Sequence, residues 1–87
     1  MKKKINIGGV DPILFVGLND QNIKVLEKHY DSKIVVRGSR MNLDGKKDEI
    51  QHIELVVQNM LTIINKKGSL SVEDVNDLIT HNDLNNN

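Results

Sequence analysis

Residues 33–44 have the sequence KIVVRGSRMNLD, and this stretch decides the fold. Its first five residues are rich in β-branched side chains, which favour a strand. Gly38 and Ser39 supply a turn, and the next five residues place Met41 and Leu43 on one face of a returning strand. The sequence therefore predicts an antiparallel β-hairpin at residues 33–44.

A long helix is predicted between residues 46 and 67. Apolar side chains recur at helical spacing from Ile50 to Ile64, and Asp48 lies in the first turn, where the helix dipole favours an acidic group. Gly68 has the position of a C-cap. The predicted helix is about 18–20 residues long and therefore spans ~30 Å.

A shorter helix is predicted near the C-terminus. Ser71 and Asp74 match a capping box, and apolar side chains follow at helical spacing at Val72, Val75, Leu78 and Ile79. Residues 81–87 are polar and offer nothing to bury. We expect them to be a disordered tail or the start of a linker.

The N-terminal third of the chain carries shorter patterns. Residues 1–9 alternate weakly through Ile5 and Ile7, which suits either an edge strand or an arm. Residues 13–16, ILFV, form a compact apolar run between Pro12 and Gly17. Such a bounded run predicts a buried strand.

A first helix is predicted after this strand. Asn19 has the chemistry of an N-cap, and the helix is expected to run to about Tyr30. Ile23, Leu26 and Tyr30 would share its buried face.

The predicted element order is β–α–β–β–α–α, without an internal repeat. We expect an α+β fold in which a small three-stranded sheet has its helices packed on one face. Residues 10–80 would form the domain, and residues 1–9 its arm or edge strand. The other face of the sheet would be solvated or would meet another domain.

Composition excludes several classes of protein. The 87 residues are enough for one domain, and the absence of cysteine excludes disulfide frameworks, thiolate nucleophiles and zinc–thiolate sites. No apolar run approaches the ~20 residues of a membrane span. The lysines at positions 2–4 are not followed by the apolar segment of a signal peptide. We expect a cytoplasmic chain with no membrane partner.

The formal net charge of zero hides an asymmetry along the chain. Residues 1–67 carry all twelve Lys and Arg side chains but only eight of the twelve Asp and Glu side chains. A mildly basic body of this kind can face a polyanion weakly. The alternative is that both parts of the chain are ordinary solvated surfaces.

No motif for catalysis or metal binding is found. The three histidines are far apart in sequence and do not have the spacing of metal ligands. Gly45-Lys46-Lys47 lacks both the upstream glycine and the Ser or Thr that a Walker phosphate loop requires. We therefore expect no catalytic residue, no metal and no cofactor in this chain.

One predicted turn has the chemistry to hold a phosphate. A strand would end at Val16, Gly17 would turn the chain, and the first helix would present unpaired N–H groups to an anion. Basic side chains lie on the same helix and beside the hairpin turn. The predicted nucleic-acid-binding residues are Gly17, Asn19, Lys24, Lys28, Arg37 and Arg40. The chain has only two aromatic residues on which bases could stack. Such binding would therefore depend on contacts with the nucleic-acid backbone and would be sensitive to salt.

Residues 10–45, VDPILFVGLNDQNIKVLEKHYDSKIVVRGSRMNLDG, resemble the N-terminal domain of PhoH-like proteins, the phosphate-starvation ATPases of bacteria. The resemblance continues through the GSLSVEDVNDLI segment and covers residues 10–80. It implies that a P-loop ATPase domain follows in the full-length protein, which would bind ATP and Mg²⁺. None of the ATP-contacting motifs of that family falls on a residue of this chain.

The predicted element order is also similar to the core of a KH domain, in which a G-x-x-G loop clamps the nucleic-acid backbone. Gly17-Leu18-Asn19-Asp20 has the equivalent place, with Asp20 instead of the second glycine. This departure adds a negative charge where a phosphate would approach.

Two functions follow as hypotheses. The first is a non-catalytic accessory domain that helps the PhoH-like ATPase domain to engage RNA or single-stranded DNA. The second is a protein-interaction module that docks on the ATPase domain or mediates oligomerisation.

Overall fold

The structure is a computed structural model that describes the backbone of residues 1–85 and the side chains of residues 1–81. It has an α+β fold, as predicted. The elements are β1 (Lys2–Asn6), α1 (Pro12–Val16), a 3₁₀ turn (Leu18–Asp20), α2 (Gln21–His29), β2 (Lys33–Arg37), β3 (Arg40–Asp44), α3 (Lys47–Lys67) and α4 (Val72–Asn85).

The three strands form one antiparallel sheet in the order β1-β3-β2. The predicted hairpin is confirmed, because β2 pairs with β3 from Lys33 opposite Asp44 to Arg37 opposite Arg40. Gly38 has a φ of 57°, which the tight turn between these strands requires. Of the two alternatives for residues 1–9, the chain adopts the edge strand, β1.

The prediction of a buried strand at residues 13–16 is wrong, because this run is helix α1. Asp11 caps it by accepting a hydrogen bond from the backbone N–H of Ile13 at 3.0 Å, and Pro12 occupies its first position. A proline before an apolar run and a glycine after it are as compatible with a short helix as with a strand. Only Phe15 of α1 is buried, and 61% of Ile13 is exposed.

The two later helices follow their predicted signals. Helix α3 ends at Gly68, whose φ is 76°, and buries the apolar stripe from Ile50 to Ile64. Ser71 and Asp74 form the reciprocal hydrogen bonds of a capping box, at 3.1 and 3.0 Å. The backbone of α4 continues to Asn85, through most of the segment predicted as a tail or linker. Residues 86 and 87 lie outside the described residues.

One hydrophobic core lies between the sheet and the helices. The inner face of the sheet, α2 and α3 supply most of this core. The buried face of the first predicted helix is confirmed, and that helix is α2 of the structure. Fully buried side chains include Ile7, Phe15, Leu26, Met41, Leu43, Ile50, Ile53, Val56, Val57, Met60 and Val75.

Candidate nucleic-acid interface

The loop at residues 17–20, predicted to hold a phosphate, joins two helical segments. Gly17 has a φ of 81°, and Asn19 and Asp20 have φ values of 55° and 58°. Asn and Asp tolerate this left-handed region better than other side chains. Asn19 is therefore not the N-cap of α2; Asp20 takes that position, and its side chain forms no capping hydrogen bond.

Two of the N–H groups expected to be free at this corner have partners within the loop. The N–H of Asp20 donates to the carbonyl of Gly17 at 3.1 Å, and the N–H of Gln21 donates to the carbonyl of Leu18. An anion at this helix start would have to displace these bonds and approach the carboxylate of Asp20. The expectation that all N–H groups at this helix start are free is wrong for this reason.

Asn22 fills the space behind the loop. Its side chain is fully buried, and its Nδ2 donates to the carbonyls of Phe15, at 3.3 Å, and Leu70, at 3.1 Å. A Cβ at Gly17 would lie 3.0 Å from this Nδ2 and 2.7 Å from Cγ of Gln21. Asn22 thus ties α1, α2 and the segment before α4 together, and the corner is packed by the chain itself.

The four predicted basic residues fall on two separate surfaces. Lys24 and Lys28 are exposed on α2, in the helical layer. Arg37 and Arg40 lie on the outer face of the sheet, because their neighbours Val36 and Met41 point toward the core. The structure therefore does not bring the six predicted residues into one strip.

The outer face of the sheet is strongly basic. The registers of the two strand pairs align its side chains in three rows across β1, β3 and β2: Lys2, Asp44 and Lys33; Lys4, Asn42 and Val35; Asn6, Arg40 and Arg37. Five side chains are basic and one, Asp44, is acidic. A shallow depression of about 770 Å³ lies on this face between the strands' side chains.

Arg37 and Arg40 are directly opposite each other across the hairpin. Like charges in this position destabilise a strand pair. Within residues 1–81, neither arginine forms an ion pair. Between β1 and the other described side chains, the one ion pair belongs to Lys3 on the inner side, whose Nζ lies 3.4 Å from Oε2 of Glu54. The outer face thus concentrates positive charge, and the end that carries Arg37 and Arg40 lies away from its one acidic side chain, Asp44.

Lys2, Lys4 and Lys33 were missed by the sequence-based prediction. Their common face depends on pairing β1 with β3, a contact between residues about forty positions apart. The alternation of Ile5 and Ile7 with polar neighbours was the available signal, because it places Lys2 and Lys4 on the side opposite the buried isoleucines.

Hydrogen bonds between Ser32 and Glu49 connect the hairpin to α3 at the end away from its turn. Oε1 of Glu49 accepts hydrogen bonds from the backbone N–H of Ser32, at 2.7 Å, and from its hydroxyl. The Ser32 hydroxyl, more than any other group, holds the pKa of Glu49 below its ordinary value, against the opposing effect of burial. A Cβ at Gly45 would overlap Ser32, so the glycine lets α3 begin close to β2.

Among the described side chains, the remaining ionisable groups do not form a metal centre. The hydroxyl of Tyr30 and Nδ1 of His52 form a hydrogen bond of 3.1 Å, which links the end of α2 to α3. In the part of the chain with described side chains, no three His, Asp or Glu residues gather in a geometry that would hold a metal ion. Among the helices of residues 1–85, none has the length and apolar character needed to cross a bilayer.

No protein-family model, curated protein or solved structure matches this chain.

Proposed function

We propose that this chain is a non-catalytic accessory domain that binds single-stranded nucleic acid, RNA or DNA, through the outer face of its sheet. Its resemblance to PhoH-like proteins supplies the context, in which a P-loop ATPase domain binds ATP and Mg²⁺ and this domain engages the strand. The observation that carries the proposal is the uncompensated pair Arg37 and Arg40 at one end of a five-cation face.

A phosphate between the two arginines would replace their mutual repulsion with two favourable contacts. Arg guanidinium groups offer fork-shaped donor pairs that match phosphate oxygens. The face extends over strands of five residues, or about 13 Å, which is long enough for more than one phosphate. Lys2, Lys4 and Lys33 would make the further contacts along the backbone.

Val35 and Asn42 lie between the basic side chains as cross-strand partners. Val35 offers an apolar surface to a base, whereas Oδ1 of Asn42 is buried, and neither side chain provides an aromatic ring for stacking. Since stacking supplies much of the sequence-tolerant affinity of other single-strand binders, binding here would depend mainly on phosphates. Its affinity would therefore fall steeply with salt.

The test compares two double variants that each remove two positive charges. Binding of a labelled single-stranded 12-nucleotide RNA and of its DNA equivalent is measured by fluorescence anisotropy over a salt series. Arg37→Gln/Arg40→Gln should reduce the salt slope by about 0.7, since the two arginines share one phosphate and each phosphate neutralised on a single strand contributes ~0.7. Lys24→Gln/Lys28→Gln, on α2, should leave the slope unchanged.

Each other outcome contradicts a stated part of the proposal. Loss with the α2 variant alone would place the contact at the loop and α2, as the KH-like resemblance predicts. Equal loss with both variants would indicate attraction by net charge without a defined site. Absence of binding by the wild-type chain at low salt would remove the nucleic-acid function altogether.

A further inference from the structure

The central part of an exposed face of helix α3 carries no charged side chain, whereas exposed Lys47 lies one turn before it and partly buried Glu54 borders it. Its side chains lie at the spacing i, i+4, i+7, i+11 and i+14, and all are exposed: Gln51, Leu55, Gln58, Thr62 and Asn65. We call this set the α3 stripe. It extends over about 21 Å, whereas the exposed side of α2 carries Lys24, Glu27 and Lys28. Depletion of charge is typical of the central part of protein interfaces.

We propose that two copies of this chain associate through the α3 stripe, with their α3 helices antiparallel about a two-fold axis at Gln58. The stripe is nearly symmetric about this residue. Gln51 and Asn65 each lie seven positions from it, and Leu55 and Thr62 lie three and four positions from it. In the antiparallel pair, each residue therefore meets its counterpart from the opposite half of the stripe.

The chemistry of these partners is self-complementary. An amide both donates and accepts, so Gln58 can pair with Gln58 of the second copy, and Gln51 with Asn65. The hydroxyl of Thr62 already donates to the carbonyl of Gln58 at 3.1 Å. Its methyl group thus remains for contact with Leu55 of the second copy, whose side chain is 53% exposed.

Charge at the ends of the helix favours the antiparallel direction. Asp48 and Lys66 flank the stripe on the same side, ten positions before Gln58 and eight positions after it. An antiparallel pair brings Asp48 of each copy near Lys66 of the other and opposes the two helix dipoles favourably. A parallel pair would bring Asp48 against Asp48.

The contact is small, and the dimer is therefore weak. A single helix face of about 21 by 10 Å covers much less than the ~800 Å² per partner of a stable interface. The stripe shares no residue with the outer face of the sheet, so both basic faces remain open in the dimer. Association would join two nucleic-acid-binding faces in one particle.

Sedimentation equilibrium over about 10 µM to 1 mM, the range of a weak interface, tests the proposal. The average mass should rise with concentration from 9.8 kDa toward twice that value. Gln58→Glu places like charges at the two-fold axis and should weaken association at least ~10-fold. Thr80→Glu adds the same charge to the exposed side of α4 and should leave association unchanged.

A charge exchange tests the antiparallel direction. Asp48→Lys and Lys66→Asp should each weaken association, and the variant carrying both changes should recover it, because the reversed charges again face each other. A monomer at every concentration, or no recovery in the double exchange, would overturn the proposal. Far-ultraviolet circular dichroism checks that each variant keeps its helices.

Discussion

Two regions of the molecule were predicted to contact an anion. They differ in whether the protein's own groups already occupy the place of the anion. The loop at residues 17–20 is occupied by its own chain, since Asn22 packs behind it and the N–H groups of Asp20 and Gln21 already have partners. The outer face of the sheet is open, and among the side chains of residues 1–81 only Asp44 places an acidic group beside its basic ones. The comparison separates a corner that stabilises the fold from a face that is available for binding.

Loss of the hydrogen bonds of Asn22, behind the loop at residues 17–20, should have the largest effect on the free energy of unfolding. Asn22→Asp would turn a carboxylate toward the carbonyls of Phe15 and Leu70 and should cost about 3 kcal/mol or more of the free energy of unfolding. Asn22→Ala leaves both carbonyls without a donor and should cost about 2 kcal/mol. Urea unfolding measures both changes.

Asn76→Asp is the matched control for this corner. Asn76 is exposed on α4, so its change should stay within ~0.5 kcal/mol. If Asn22→Asp and Asn76→Asp unfolded at the same urea concentration, the hydrogen bonds of Asn22 would not be what holds the corner.

The role of Asn22 shows why this region could not be predicted from local sequence. One of its partners, Leu70, is 48 positions away. In the same way, the four-residue run at 13–16 is too short for periodicity to distinguish strand from helix, and Asp11 and Pro12 decided in favour of helix. The basic face required the register between β1 and β3, which no local pattern specifies.

Where the signals were local, the sequence predicted the structure well. Helix α3 is long enough for its apolar period to be unambiguous, and its C-cap is a glycine at a φ of 76°. The capping box at Ser71 and Asp74 needs residues three positions apart, and the hairpin needs a two-residue turn. The basic outer face combines such local elements with a long-range pairing, so the sequence-based prediction included only Arg37 and Arg40 of its five basic residues.

Gly17→Ala should sharpen the comparison with a smaller effect. The residue has a φ of 81°, and an added Cβ would press against Gln21 and Asn22. We expect a loss of about 2 kcal/mol, from backbone strain and crowding together. Gly9→Ala is the control, since nothing lies within 4 Å of an added Cβ there, and it should be neutral or slightly stabilising. Equal thermal unfolding of the two variants would mean that the loop adapts to a side chain.

Low pH should weaken the hydrogen-bonded contact between Ser32 and Glu49. Because hydrogen bonds from Ser32 lower the pKa of Glu49 in the folded state, its contribution is present above the ordinary pKa of 4.5 and is lost as pH falls through the lower folded value. At pH 7, Glu49→Gln should cost about 1 kcal/mol, and the difference from the wild type should shrink toward pH 3. Glu27→Gln, on the exposed side of α2, provides the same charge change without this contact. A difference that stays constant with pH would contradict the proposed role of the carboxylate.

The smallest expected effect has the opposite sign. If Arg37 and Arg40 repel each other in the free protein, Arg40→Gln should raise the free energy of unfolding by about 0.2–1 kcal/mol while it weakens nucleic-acid binding. Lys33→Gln removes the cross-strand partner of Asp44 and should lower stability by a similar amount. High salt should reduce both differences, because these side chains are exposed. A face selected for stability would show a loss in both variants, whereas a gain in Arg40→Gln alone would indicate that the two arginines are kept together for an anion.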